Sequence, residues 1–156
     1  IFEVSAGGEL NLTQLRLSRG AAPNGGAIRA LGARLTLDRC TFYENVATGG
    51  SGGAVWVEDG EVLISGGGFL NNSAAWAGGA VFTNNTEVTV RDAARFEQNR
   101  AALGGALYSK GLSCSLSNAT FSLNNATFSL NNASVEAVVG DNDDSLFSRG
   151  GAAAFV

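Results

Sequence analysis

The residues best suited to binding a metal ion lie near the C-terminal end of the sequence. The stretch Asp141-Asn142-Asp143-Asp144-Ser145 supplies side-chain oxygens at alternate positions, and hard cations such as Ca²⁺ prefer oxygen ligands. It lacks the glycine and the distal glutamate of an EF-hand loop. Asp141, Asp143 and Asp144 are therefore candidate calcium ligands, with a solvated acidic turn as the alternative, and no other cofactor is predicted.

Groups for acid–base or zinc chemistry are sparse. The sequence contains no histidine and only two cysteines, which argues against the usual zinc sites. The carboxylates of Glu44, Glu58, Asp59 and Glu87 are expected in turns, and they do not recur at one repeat position. General acid and base roles have no obvious residue, so we predict that the chain is not an enzyme.

Several asparagines lie in N-glycosylation sequons, Asn-x-Ser/Thr without proline at the middle position. This pattern favours a secreted or cell-surface protein. Repeats rich in Asn, Ser and Thr can also generate such sequons without selection. The glycosylation candidates are Asn11, Asn71, Asn84, Asn118, Asn125 and Asn132.

Two motifs recur in phase with a period of 26 or 27 residues. Four copies of Gly-Gly-Ala are each followed by Phe-x-x-Asn, and a fifth Gly-Gly-Ala begins at Gly150. A period in this range is typical of a solenoid, because one unit cannot bury its apolar face alone. The repeat residues are Gly25, Gly26, Phe42 and Asn45; Gly52, Gly53, Phe69 and Asn72; Gly78, Gly79, Phe96 and Asn99; and Gly104, Gly105, Phe121 and Asn124.

Short alternating segments separated by Gly, Asn and Asp predict strands within each repeat. One strand follows Gly-Gly-Ala, a second begins about ten residues later, and a third carries the phenylalanine. Three strands in about 26 residues describe one rung of a single-stranded parallel β-helix, an all-β fold. Cys40 and Cys114, three units apart, would then lie about 14 Å from each other, too far for a disulfide, and are expected to be buried thiols.

Stacked rungs predict interior columns and polar turns. Residues such as Ile28 and Val55, Leu37 and Ile64, and the four phenylalanines should point inward. The paired glycines suit a sharp turn with positive φ or close contact between rungs. The repeat asparagines should occupy the left-handed region after the third strand and form a structural ladder; a ligand-binding asparagine row is the alternative.

The repeats define the organisation of residues 1–156 as one β-helix segment, expected to belong to a longer array. Regularity fails after Ala119, where Asn-Ala-Thr-Phe-Ser-Leu-Asn occurs twice in tandem. Residues 126–149 are either an insertion or a degenerate rung. The predicted rungs cover 7–24, 25–51, 52–77, 78–103 and 104–125, and residues 150–156 start another.

An outward column on the first strand is predicted to form an interaction surface. Trp56, Phe82 and Tyr108 follow Arg29 at this position. Aromatic side chains on three successive rungs would form a contiguous apolar strip, which usually marks a contact surface. A protein chain or a glycan could bind there. Alternatively, the loop around Trp76 or residues 131–149 could cover it.

The composition excludes several classes of partner. A net charge of −4 provides no basic surface for nucleic acid or an anionic membrane. No segment approaches the eighteen apolar residues of a membrane helix, so this segment is not expected to insert into a membrane.

The alternation of Gly-Gly-Ala-(Ile/Val/Leu) with Phe-x-x-Asn resembles the repeat of the chlamydial polymorphic outer membrane proteins. The likeness covers roughly residues 25–125. It implies a right-handed parallel β-helix and a surface-displayed, adhesive or structural passenger. The chain departs from that family in its Ala, Arg and sequon content, and similar repeats occur in large surface proteins of algae and protists.

Two functional classes follow from these observations. The first is a non-catalytic extracellular or cell-surface module for adhesion or for building an extracellular assembly, with other protein chains of that assembly or glycans as partners. The second is a carbohydrate-active β-helix enzyme, resembling a polysaccharide lyase or hydrolase, whose catalytic residues lie outside this segment. The sequence does not name the ligand, the full length or the oligomeric state.

Overall fold

The computed structural model describes residues 2–111, 113–122, 124–128, 136–138 and 153–155, and within them all regular secondary structure is β-strand. The strands follow one another in about five turns. The first turn contains β1 (Phe2–Val4), β2 (Glu9–Thr13), β3 (Arg16–Ser18) and β4 (Ala21–Ala22). The second contains β5 (Ile28–Leu31), β6 (Arg34–Asp38), β7 (Thr41–Tyr43) and β8 (Val46–Ala47).

The remaining turns repeat this order. The third contains β9 (Val55–Glu58), β10 (Glu61–Ser65), β11 (Gly68–Leu70) and β12 (Ser73–Ala74). The fourth contains β13 (Val81–Asn84), β14 (Glu87–Arg91), β15 (Arg95–Glu97) and β16 (Arg100–Leu103). The fifth contains β17 (Leu107–Lys110), β18 (Ser113–Ser117), β19 (Thr120–Ser122) and β20 (Asn125–Phe128), and β21 (Glu136–Val138) and β22 (Ala153–Phe155) follow.

Equivalent strands of successive turns pair in parallel and form four sheets that run along the solenoid. Sheet A is β1-β5-β9-β13-β17-β22, and sheet B is β2-β6-β10-β14-β18-β21. Sheet C is β3-β7-β11-β15-β19, and sheet D is β4-β8-β12-β16-β20. The register matches the repeat, since Val55 pairs with Ile28 on one side and Val81 on the other. The predicted all-β parallel solenoid of about 26 residues per turn is confirmed.

The prediction of three strands per rung differs from the structure, which has four sheets. The additional strand follows Phe-x-x-Asn and is only two residues long in most turns, as in Ser73–Ala74. A pair of residues is too short to show alternation in a sequence. The first turn also begins earlier than residue 7, because Phe2 pairs with Ile28.

The interior columns lie where the repeat predicted them. Phe42, Phe69 and Phe96 are fully buried, and neighbouring rings stack at centroid distances of 4.7 and 4.8 Å. Phe121 continues the stack 4.6 Å from Phe96 and is half-buried. The aliphatic columns of sheets A and B complete the same core.

The asparagine column forms a buried ladder, as predicted. Asn72 Oδ1 accepts hydrogen bonds from both the backbone N–H and the side-chain Nδ2 of Asn45, each at 3.0 Å. Asn72 Nδ2 donates to the carbonyl of Phe42 at 3.1 Å and to Asn99 Oδ1 at 3.0 Å. The same pattern links Asn99 to Asn124. The amide groups are therefore engaged within the fold.

The conformation predicted for these asparagines was wrong. The residue with positive φ is the one before each ladder asparagine: Glu44 at 53°, Asn71 at 54° and Gln98 at 56°. The exposed preceding residue makes the turn, and the asparagine side chain can then point into the interior. A polar side chain that must bond inward cannot also be the exposed corner residue.

The two glycines of each Gly-Gly-Ala are required for different reasons. Gly52 has a φ of 68°, a backbone conformation that residues other than glycine rarely adopt. At Gly53, a Cβ atom would lie 2.0 Å from the carbonyl oxygen of Gly79 and 2.6 Å from that of Ser73. Gly53 thus allows sheet D of its own turn and the next turn to approach its backbone. The sequence predicted positive φ and close contact between rungs as reasons for the glycine pair, but it did not show which reason applies to which glycine.

Both cysteines are free thiols, as expected. Cys40 is buried and Cys114 is half-buried. Burial raises the pKa of Cys114 to about 12, although a hydrogen bond with Ser109 opposes the shift. This thiol is therefore protonated at neutral pH.

In the irregular C-terminal region, the structure describes three short strands. β20 pairs with β16, β21 pairs with β18 and β22 pairs with β17. Most of residues 126–149 lies outside the described residues, so the choice between an insertion and a degenerate rung stays open.

Candidate functional site

The outer face of sheet A carries the predicted aromatic column. Along β9 and β13, buried and half-buried residues alternate, so Val55 and Val57 point inward while Trp56 points outward. Trp56 pairs with Phe82, and Phe82 pairs with Tyr108. We call Trp56, Phe82 and Tyr108 the aromatic strip.

The rings of the aromatic strip stack on one another along the solenoid axis. The centroids of Trp56 and Phe82 are 6.2 Å apart with an interplanar angle of 11°. Those of Phe82 and Tyr108 are 5.4 Å apart at 4°. Because neighbouring rings are nearly parallel, they form an offset stack in which each ring turns a face towards the next.

Charged residues cover the N-terminal end of the strip. The guanidinium of Arg29 lies over the Trp56 ring, 5.0 Å from its centroid, a cation–π arrangement. Arg29 Nη1 also donates to Glu3 Oε1 at 2.6 Å. The free face of the first aromatic ring is thus occupied by a side chain of the preceding turn.

Residues after sheet D cover part of the strip from the side. Tyr108 is 9% exposed and packs with Ala77, and Phe82 and Leu103 join this cluster. The loop around Trp76 therefore covers part of the strip through Ala77, although the Trp76 side chain itself is 62% exposed. The proposed cover by residues 131–149 falls mostly outside the described residues. Intrachain cover is therefore partial, and it comes from Ala77 and Leu103.

A second surface feature was not anticipated. A groove of about 430 Å³ runs across sheet D, and equivalent residues of three turns line it: Val46, Ala47 and Thr48; Ser73, Ala74 and Ala75; Arg100, Ala101 and Ala102. We call it the sheet D groove. An alanine two residues after each ladder asparagine was the available sequence signal, but it has meaning only once the fourth strand is known.

The candidate acidic residues are described only in part. Within the described residues, no group of three His, Cys, Asp or Glu side chains could hold a metal ion. Asp141, Asp143 and Asp144 lie outside the described residues. Glu58 ends β9 and Glu87 begins β14, so the expectation of turns was wrong for both, since strand pairing extends to these polar ends.

Of the turn carboxylates, Glu44 has the clearest electrostatic partners. A hydrogen bond from the Tyr43 hydroxyl, and then one from Arg19, lowers the pKa of Glu44. Arg19 Nε lies 3.2 Å from Glu44 Oε2. A lowered pKa keeps this carboxylate ionised, whereas a general acid at neutral pH needs a raised one.

The sequon asparagines occupy different environments. Asn71 and Asn118 are exposed corner residues with positive φ. Asn11 is exposed and donates to Glu9, whereas half-buried Asn84 donates from Nδ2 to Glu58 Oε1 at 2.7 Å. Asn125 begins β20, and Asn132 lies outside the described residues. Asn71 and Asn118 are the sequons whose side chains are most open to a glycan.

Comparison with known proteins adds no relative. No protein-family model matches the chain, and no curated protein or solved structure matches it. The described part of the chain contains no helix that is long and apolar enough to cross a membrane.

Proposed function

We propose that the chain is a non-catalytic, extracellular or cell-surface solenoid module that serves adhesion or the building of an extracellular assembly. The aromatic strip is the observation that carries this proposal. Three large side chains on a rigid sheet retain little conformational freedom, so docking them costs little entropy. Trp56 and Phe82 are half-buried, so part of each ring is open beside the partly buried Leu103, whereas Tyr108 is nearly buried and anchors the end of the strip.

A protein chain is the partner that this geometry favours. Sugar rings dock on the faces of aromatic side chains, and the faces within the aromatic strip are already covered by neighbouring rings and by Arg29. Ring edges carry partial positive charge and pack well against aliphatic, aromatic or carbonyl groups of another protein. We therefore propose another protein chain of a surface assembly as the occupant.

The proposed surface location rests on the sequence, and the proposed right-handed coil rests on the general geometry of parallel strands. The resemblance to the chlamydial repeat and the sequons support the surface location. The connection between parallel strands of one sheet is right-handed in nearly all known cases, which supports a right-handed coil.

The test compares two pairs of outward substitutions. We expect Trp56→Ser with Tyr108→Ser to reduce self-association of the purified chain in sedimentation velocity at least tenfold, while the circular dichroism spectrum stays β-rich. The control is Tyr43→Ser with Leu70→Ser, two half-buried residues that point outward on sheet C. Control and native chains should associate equally.

Trp56→Ser alone separates binding from folding, since Tyr108 also packs against Ala77 and Leu103. If Trp56→Ser folds and associates like the native chain, the aromatic strip is not the contact. A native chain that stays monomeric at all concentrations would contradict assembly through copies of this segment.

A further inference from the structure

The sheet D groove has the length and repeat of an extended polymer site. It is lined by the same three positions in three consecutive turns, so equivalent positions recur with the separation of neighbouring strands, about 4.8 Å, while the first position changes from Val46 to Ser73 to Arg100. Its three strands therefore span roughly 10 Å. A volume of about 430 Å³ lies within the usual range for ligand sites. The groove suits a linear ligand that advances by about one unit per turn.

Backbone pairing leaves no place for a peptide to bind as an extra strand. β8, β12 and β16 are each paired on both sides within sheet D. The backbone N–H groups of Val46, Ser73 and Arg100 already donate to Gly20, Asn45 and Asn72. Strand addition requires a free sheet edge. A peptide would also alternate its side chains every two residues, about 6.7 Å, which does not match the groove.

A polysaccharide matches both the spacing and the side chains. One ring of a β-linked hexose chain advances by a distance close to the separation of two strands. Ser73 and Thr48 contribute hydroxyls to the groove lining, and the small side chains of exposed Ala75 and half-buried Ala102 leave room for rings. Trp76 is outside the lining but directly follows groove residue Ala75, and its 62% exposure makes it the aromatic residue beside the groove that is available to a sugar ring.

The positive charge of Arg100 favours an acidic polysaccharide over a neutral one. Arg100 is the one charged residue in its lining, it is exposed, and it forms no ion pair with another described residue. A guanidinium binds a carboxylate through two parallel hydrogen bonds. We propose that the sheet D groove binds a linear, β-linked acidic polysaccharide, with a uronate carboxylate on Arg100 and a sugar ring on Trp76.

The experiment uses two ligands that differ only in their carboxylates. The probes are the hexamer of β-1,4-linked mannuronate and β-1,4-mannohexaose, titrated into the whole chain by calorimetry. We expect the mannuronate hexamer to bind at least tenfold more tightly than mannohexaose, and we expect its affinity to fall as salt is raised. Equal affinities would overturn the role of Arg100, and no binding of either hexamer would overturn the site.

Matched variants locate the binding. We expect Arg100→Gln and Trp76→Ser each to weaken binding of the mannuronate hexamer at least tenfold. Arg95→Gln removes an exposed arginine from the outer face of neighbouring sheet C and should leave affinity unchanged. Equal losses in Arg100→Gln and Arg95→Gln would show non-specific attraction and overturn the site.

A folded variant and a charged peptide complete the test. Ala75→Leu adds bulk at an exposed groove position and should block binding without changing the melting temperature; undiminished binding would overturn the assignment. Hexaglutamate should bind more weakly than the mannuronate hexamer, and equal binding would overturn the choice of a polysaccharide. Arg100 and Ala75 lie outside the aromatic strip and its packing cluster, so Arg100→Gln and Ala75→Leu leave self-association measurable.

Discussion

Phe69 and Asn72, three residues apart, show how single residues hold one turn to its neighbours. Phe69 stacks between Phe42 and Phe96, and its contribution is apolar burial. Asn72 is equally buried, and all its side-chain polar groups are bonded. Burial without these bonds would cost free energy, so the amide fixes register while the ring supplies contact area.

Truncation of the stacked ring tests the energetic part. We expect Phe69→Ala to lower the free energy of unfolding by roughly 3 to 5 kcal/mol, as for other core aromatic truncations, because the rings above and below both lose contacts. Leu63→Ala, on the half-buried outer face of sheet B, is the control and should cost far less. Denaturant titration measures both. A cost for Phe69→Ala within about 0.5 kcal/mol, the range of surface changes, would contradict the interior assignment.

The buried thiol of Cys114 gives a chemical test at the same scale. Its pKa is raised to about 12, whereas an unfolded thiol titrates near 8.5. In a Cys40→Ser background, Cys114 should react slowly with a disulfide reagent at pH 8 and rapidly in denaturant. Fast reaction of the native chain would show that the thiol is exposed.

The same shift predicts a pH dependence of stability. Because the folded state keeps the proton to a higher pH than the unfolded state, stability due to Cys114 is complete below about pH 8.5. It should be lost progressively as the pH rises from there towards the folded pKa of about 12. Cys114→Ala should remove this part of the alkaline destabilisation, and an unchanged pH profile would contradict the burial.

The elements of each turn are defined by their corners as much as by their strands. Every corner between sheets A and B that is described carries a residue with positive φ, from Gly7 through Gly32, Asp59 and Asn85 to Gly111. Such residues turn the chain from one sheet into the next without a long loop. Short corners keep equivalent strands in register over all turns.

Two glycines of one turn provide a matched test of corner packing. We expect Gly53→Ala to destabilise the fold by at least about 3 kcal/mol, because its Cβ would meet the Gly79 carbonyl oxygen at 2.0 Å. Gly68→Ala is the control, since its Cβ would lie 3.7 Å from the nearest atoms, those of Leu70. Thermal melts of both variants measure the difference. Similar melting temperatures would show that the two backbones are not in close contact.

Elements with a period could be predicted from the sequence, and elements without one could not. Strands such as Glu87–Arg91 alternate polar and apolar residues over five positions, so their existence and inward face followed from the pattern. Ser73–Ala74 is too short to alternate, and the close approach of its backbone to Gly53, at the start of the same turn, is visible only in the folded chain. For the same reason the aromatic strip was predicted, whereas the sheet D groove, which needs the fourth strand, was not.

At the scale of the whole molecule, the solenoid presents different surfaces along parallel lines. The aromatic strip follows sheet A and the groove follows sheet D, and both extend across three turns. Each turn contacts only its neighbours, so such surfaces repeat with the turn. A protein partner and a polysaccharide could therefore bind side by side.

Surface location is tested on the whole molecule by its glycans. If the chain is secreted from eukaryotic cells, we expect hexosamine-containing mass at Asn71 or Asn118, the two exposed corner sequons. Glycopeptide mass spectrometry measures the occupancy, with half-buried Asn84 as an internal comparison. Secreted protein without glycan at any sequon would contradict the significance of these motifs.

The asparagine ladder also determines how the molecule should respond to force. Each side-chain oxygen bonds to the turn before it, as Asn72 does to Asn45 and Asn99 does to Asn72. Tension applied at the last turn therefore loads the bonds of one turn at a time, since each described hydrogen bond between ladder asparagines joins neighbouring turns. Pulled from its C-terminal end, the chain should lengthen in steps of about 90 Å, the extended length of one 26-residue repeat. An adhesive module built this way would yield one turn at a time under shear and keep the remaining turns intact.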